Sequence, residues 1–206
     1  MRFPSSILVL LMSFIQLYCF AQKGWDKETL EKANTAKDIG YLTEEEKQVI
    51  FYTNLLRLDP LLFRNTFVKH YIDSTGSKSK YAKSLLKTLE TQPSLPVLKP
   101  SERLYKIAKE HAITFGKQGK TGHGNLKKRF QSYLNDCKCA IAENCYYGNV
   151  SALDMVIGLL IDENVSNLGH RKNLLNAAFT NTGVCISPHK TYKRSCVADY
   201  SSAVKD

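Results

Sequence analysis

The chain is poor in the signatures that mark many chemistries. Its 206 residues include one tryptophan, three methionines, five histidines and six prolines, and 19 acidic residues face 29 lysines and arginines. Eleven glycines and six prolines without a period exclude collagen-like and low-complexity classes, and a 43% hydrophobic content is too high for a disordered tail. No H-E-x-x-H helix is present, so the helical zinc-peptidase site is excluded, and no G-x-S-x-G, which removes the serine-hydrolase elbow. Gly119-Lys120-Thr121 resembles the end of a phosphate loop. The glycine required five positions earlier is Thr114, however, and the spacing predicts a helix before it rather than a strand. Beyond the N-terminal segment no run of about 18 uncharged apolar residues occurs, so the sequence offers no transmembrane helix.

That N-terminal segment reads as a secretory signal peptide over residues 1–21. Arg2 supplies a positive start, Ile7 to Phe20 is an apolar run broken only by Ser13 and Gln16, and Cys19-Phe20-Ala21 suits cleavage before Gln22. A lipoprotein reading would acylate Cys19, but Tyr18 before it is too bulky. The expected location is outside the cytoplasm, extracellular or periplasmic. Removing Arg2 leaves 28 basic and 19 acidic residues, a formal +9, which favours anionic partners. The lysines are scattered with no nucleic-acid motif around them, so a solvated surface is the simpler reading and no nucleic acid is expected.

Five cysteines remain, and outside the cytoplasm they are expected to form disulfides. Cys185 and Cys196 flank the turn-like Ser187-Pro188-His189-Lys190, which predicts a bond across a hairpin. Cys145 is expected to pair with Cys137 or Cys139, leaving one thiol over. The Cys137-Lys138-Cys139 spacing does not fit a zinc knuckle.

Residues 22–44 form a short helical arm, and residues 45–206 the main domain. Thr43 with Glu46 is a capping box opening a helix that stops at Asp59-Pro60. An amphipathic stretch covers Leu61 to Tyr71, a helix Tyr81 to Leu89, and an extended linker Pro93 to Pro100. Ser101 caps a further helix, followed by an expected irregular loop from Gly116 to Gly124. Ser151 caps a helix apolar almost all round, as befits burial between layers. Two short strands are predicted late, at 183–186 and 196–200. Early helices and late strands give an α+β class with helices on both faces of a small antiparallel sheet.

Two histidines stand out. His123 lies between Gly122 and Gly124, and His170 between Gly169 and Arg171, so glycine-flanked bends present both rings. His111, on an apolar helical face, reads as a core residue, and His189 as a turn residue. Ala142-Glu143-Asn144, and Asp162 with Glu163, place carboxylates beside apolar segments, where each needs a partner. Two histidines with two carboxylates satisfy one another, directly or around a divalent cation.

Asn54 with Arg57, the Ala108–Ala112 helix containing His111, Gly122-His123, Ala142-Glu143-Asn144, Gly169-His170-Arg171-Lys172-Asn173 and Gly183-Val184-Cys185 occur in the order of the CAP superfamily. That group comprises cysteine-rich secretory proteins, antigen 5 and pathogenesis-related 1 proteins, also called SCP-like domains. The likeness spans Glu45 to Tyr200 and resembles most the bacterial secreted branch, where G-H-R-x-N replaces G-H-[FY]-T. It implies a three-layer α-β-α sandwich with a cleft lined by His123, Glu143, Asp162 and His170. Asp162 stands where the family usually has Glu, with Leu159 in its tryptophan slot, and Glu163 is the alternative for that position. It further implies a divalent cation on His123 and His170, zinc first, magnesium or calcium otherwise, with Glu143 and Asp162 reaching it through water. The function implied is a binding or interaction module for a lipid or sterol, a cell-envelope component or a partner protein. The alternatives are a metal-dependent, peptidase-like hydrolase with Glu143 as general base, and a basic, envelope-directed effector or antimicrobial.

Overall fold

The structure, a computed structural model, describes residues 24–202. The signal-peptide reading of residues 1–21 lies outside them. Asp26 caps helix α1 (Lys27–Ala33), accepting the Thr29 N–H at 2.8 Å. The arm packs into the main core: Trp25, Leu30, Ala33 and Ala36 are buried there, and the Asn54 amide donates to the Ala33 carbonyl at 3.0 Å. The Thr43–Glu46 capping box opens α2 (Glu44–Leu58). Glu46 also accepts the Ile186 N–H at 2.9 Å, covering a strand edge that would otherwise stay unpaired.

The amphipathic stretch after Pro60 is a helix interrupted by a wider turn: α3 (Pro60–Phe63), a π turn (Arg64–Val68) and α4 (Lys69–Thr75). Then come α5 (Lys80–Thr91), β1 (Lys99–Pro100), α6 (Glu102–Gln118), α7 (Leu126–Arg129) and α8 (Gln131–Asp136). β2 (Ile141–Tyr147), α9 (Ala152–Ile161), α10 (Gly169–Leu174), β3 (Asn181–His189) and β4 (Lys193–Ser201) complete the described chain. The predicted loop from Gly116 to Gly124 starts later than expected, because α6 runs through Gly116 to Gln118. Gly116 is there for packing: a Cβ on it would collide with the Pro188 carbonyl oxygen.

The sheet order is β1-β3-β4-β2, antiparallel except for the short β1–β3 pairing. Glu143, Cys145 and Tyr147 share the face of β2 toward α6, with Glu143 reaching His111. Asn144 points the other way, donating to the His170 carbonyl of α10 at 3.1 Å. Helices therefore cover both faces, α6 on one and α2, α9 and α10 on the other, as the α-β-α expectation requires. β2 ends the sheet, with no strand beyond it among the described residues.

The register overturns the expected disulfides. Cys185 is opposite Val197, and Cys196 is opposite Ile186, so their side chains leave opposite faces of the sheet and no bond can join them. Cys145 lies six residues along extended chain from Cys139, about 20 Å away, which excludes both of its expected partners. Cys137 and Cys139 are instead bonded to each other, and Cys145, Cys185 and Cys196 are free and buried. Burial pushes the Cys185 thiol up to about 12, so it stays neutral.

Arg57 ties the layers together. It is fully buried and faces no carboxylate among the described residues; its guanidinium donates to the carbonyls of Pro96, Leu174, Asn176 and Phe179 at 2.8–3.1 Å. Burial lowers its pKa to about 10, leaving it charged at neutral pH. Arg57→Ala strands four carbonyls and should cost at least about 3 kcal/mol in urea unfolding, at about 1–3 kcal/mol per unsatisfied group. A loss below about 1 kcal/mol would show that water replaces the guanidinium there.

Candidate functional site

The cleft lies where the sheet ends. Consecutive residues Cys145, Tyr146 and Tyr147 of β2 line it, together with His123 and His170. His123 arrives from the α6 side on a loop that bends at Gly122 (φ 89°) and Gly124 (φ 54°), angles an L residue rarely adopts. At Gly122 the Tyr147 hydroxyl accepts the backbone N–H and His111 Nε2 donates to the carbonyl, both at 2.9 Å. His111 is buried against Phe115 as expected, and it also fixes the backbone next to His123. Burial lowers its pKa, against the opposing charge of Glu143, so its ring is neutral.

His170 comes from the opposite layer. Asp162 ends α9 in the left-handed region (φ 58°), and Leu168 repeats that conformation (φ 53°) just before α10. The turn brings the Asp162 carboxylate back under His170, where it accepts the His170 N–H at 2.9 Å and His170 Nδ1–H at 2.7 Å. His123 Nδ1 is held in the same way by Glu143 Oε1 at 2.8 Å. The two rings face each other with centroids 6.3 Å apart. All four expected residues are thus brought together, and Asp162 rather than the exposed Glu163 holds His170.

The carboxylates do not have the expected orientation. Glu143 and Asp162 bind imidazole nitrogens instead of reaching into the cleft, so they orient rings and not waters. Glu143 is also a poor general base. Its side chain is 0% exposed, and Arg129 Nη2 sits 2.9 Å from Oε1 and 2.7 Å from Oε2. Burial works to raise its pKa, but the His123 bond and the Arg129 charge outweigh this and hold the carboxyl below its usual range.

Two site residues escape the sequence reading. Arg129 looks like the end of a solvated Lys127-Lys128-Arg129 run, yet it is largely buried, pairs with Glu143 and donates to the His123 carbonyl at 2.8 Å. The buried Phe130 beside it was the available hint. Asp199 lies directly across the strand from Glu143, fully buried, and neither oxygen accepts a hydrogen bond from a described residue. Burial, and then the charge of Glu143, raise its carboxyl well above the usual range, so the fold favours its protonated form. A charge inside the apolar strand Cys196-Val197-Ala198-Asp199-Tyr200 was its signal.

A second set of donors, His111, Glu143 and Cys145, lies within 4.8 Å of one another and could hold a metal ion on spacing alone. Their existing bonds fit a cation poorly. His111 Nε2 already donates to Gly122, Glu143 is paired with a guanidinium, and burial keeps the Cys145 thiol protonated.

The profile of the cysteine-rich secretory protein family, CAP, matches residues 52–200. The chain belongs to the CAP family. Two solved structures to which it is similar are an outer surface protein from Borrelia burgdorferi and BmVAL-1. The first has a TM-score of 0.43 at 20% identity, covering 59% of this chain and 87% of its own. The second has a TM-score of 0.46 at 14% identity, covering 81% of each chain. No curated protein sequence matches this CAP chain.

Asp199 gives the site a testable pH signature. A carboxyl whose pKa is raised by folding is neutral and without cost below its unfolded value of about 3.9, and loses stability as pH rises above it. Asp199→Asn removes that loss. The variant's stability advantage over the wild type should therefore widen between pH 5 and 7, by up to about 1.4 kcal/mol per pH unit. Parallel stability–pH curves for the two proteins would mean that Asp199 is ionised in the fold.

Proposed function

We propose that this CAP domain is an exported binding module whose cleft holds one divalent cation between His123 and His170. The observation that carries this reading is the fixing of both rings through Nδ1. Each Nδ1–H is taken by a buried carboxylate, leaving both Nε2 lone pairs for a ligand, as in carboxylate–histidine–metal arrangements. Two imidazole nitrogens suit zinc; magnesium and calcium prefer oxygen donors. Bound there, zinc would supply Lewis acidity or a fixed positive charge for a ligand. Two protein ligands are fewer than the three usual in catalytic zinc sites, and Glu143 is committed to Arg129 and His123. Both points favour binding over hydrolysis.

The segment of residues 1–21 supports export, and among residues 24–202 no helix is long and apolar enough to cross a membrane. The ligand is a molecule or partner met outside the cytoplasm.

Zinc titration by calorimetry tests the reading. His123→Ala and His170→Ala should each weaken zinc binding at least about tenfold, and Cys145→Ser should leave it within about twofold. Affinity that survives loss of both His123 and His170 but falls in Cys145→Ser would move the metal to the His111–Glu143–Cys145 cluster.

A further inference from the structure

The cleft beside the histidines is large, about 780 Å³, and its lining is distinctive. Four tyrosines, Tyr71, Tyr146, Tyr147 and Tyr192, contribute to it, with Thr75 and Ser77. Thr121 also lines it, and Glu163 is the one acidic residue among the lining groups. The body of the cleft therefore combines aromatic and neutral-polar groups with an aliphatic wall of Leu159, Ile161 and Val165.

One end differs. The β3–β4 turn is stitched to the C-terminus of α6: His189 Nε2 donates to the Lys120 carbonyl at 2.8 Å, and the Lys190 N–H donates to the Gly116 carbonyl at 2.9 Å. This gathers Lys117, Lys120, Lys190 and Lys193 at one place. All four are exposed, and none has a carboxylate within 4.0 Å among the described residues. Tyr192 joins that lysine cluster to the cleft. It is 46% exposed, unusual for a large ring here, and is backed by Tyr147 at 5.7 Å and His189 at 5.3 Å between centroids.

We infer that the cleft binds an acidic glycan, with a sugar ring stacked on Tyr192 and its carboxylate on the lysine cluster. Sugar C–H faces carry partial positive charge and match the negative face of an aromatic ring. A sugar carboxylate would pair with the exposed lysine ammonium groups, which an aliphatic lipid tail would leave unused. A nucleic acid strand fits less well: it carries a phosphate at every nucleotide, while no lysine or arginine is among the residues lining the cleft and Glu163 is. A bilayer would need an apolar anchor, and Tyr192 is the single large exposed hydrophobic of this turn. The inference rests on the cleft being the module's binding site, and not on the cation.

Calorimetry with a galacturonate hexamer and its methyl ester, in chelator-treated buffer at low and high salt, tests it. The acid hexamer should bind the wild type and weaken in high salt, since exposed charges are screened over about 8 Å at physiological strength. Tyr192→Ala should weaken both oligomers at least about tenfold, and Tyr192→Phe should restore binding. The Lys120→Ala/Lys190→Ala pair should weaken the acid hexamer and spare the ester. The same lysine pair should keep the wild-type zinc affinity while losing the acid hexamer, so the two readings fail separately. No hexamer binding by the wild type, or equal affinity in Tyr192→Ala, overturns the inference. So does Tyr192-dependent binding to phosphatidylserine vesicles without hexamer binding, which would assign the patch to a membrane.

Discussion

One buried carboxylate, Glu143, organises the site. A side chain with no exposure and a negative charge survives only with partners, and Glu143 has three close ones: the Arg129 guanidinium, His123 Nδ1 and, further off, His111. Each partner does a second job. Arg129 also holds the His123 carbonyl, and His111 holds the Gly122 carbonyl, so the loop that presents His123 is fastened on both sides of its ring. Asp199 completes the group in the protonated form the fold favours, since a second buried charge opposite Glu143 would repel it. Removing Glu143 would release the ring and leave a guanidinium buried without its counter-charge.

The place of the cleft follows from the sheet. β2 is its last strand, so loops from the two helical layers meet over its outer side without crossing another strand. The layer of α6 delivers His123 and the layer of α9 and α10 delivers His170. The second delivery depends on a constrained backbone: Asp162, Asn164 and Leu168 all have positive φ within seven residues, a conformation sustained by the bonds of Asp162 to His170 and Arg171. Arg57 then locks the chain that follows α10 to α2, which keeps the layers in register.

Much of this was legible in the sequence, for physical reasons that differ by residue. Thr43, Ser101 and Ser151 announced helix starts because capping is local chemistry. Gly122 and Gly124 announced the His123 bend, because glycine is needed for those angles. The strand β2 went unread as a strand: Glu143 and Asn144 break the apolar alternation, and they do so because both serve the site. The cysteines misled for the opposite reason. A sequence displays a hairpin around Pro188 but not its register, and a shift of one residue decides whether two side chains can meet. Arg129 could not be told from its lysine neighbours, since burial of one cation in three is a tertiary fact.

The same geometry separates positioning from chemistry. Two imidazoles are aimed, two carboxylates are spent aiming them, and no described acid is left free beside the rings to act on a bound water except the exposed Glu163. That division holds only if both rings carry their proton on Nδ1. Nitrogen-15 NMR of the histidine rings at neutral pH, without added metal, reads the tautomers directly. His123 and His170 should show protonated Nδ1 and bare Nε2, and His111 and His189, which donate to carbonyls through Nε2, the reverse. Nε2–H tautomers at His123 and His170 would contradict this arrangement, because the lone pairs offered to the cleft would then not exist.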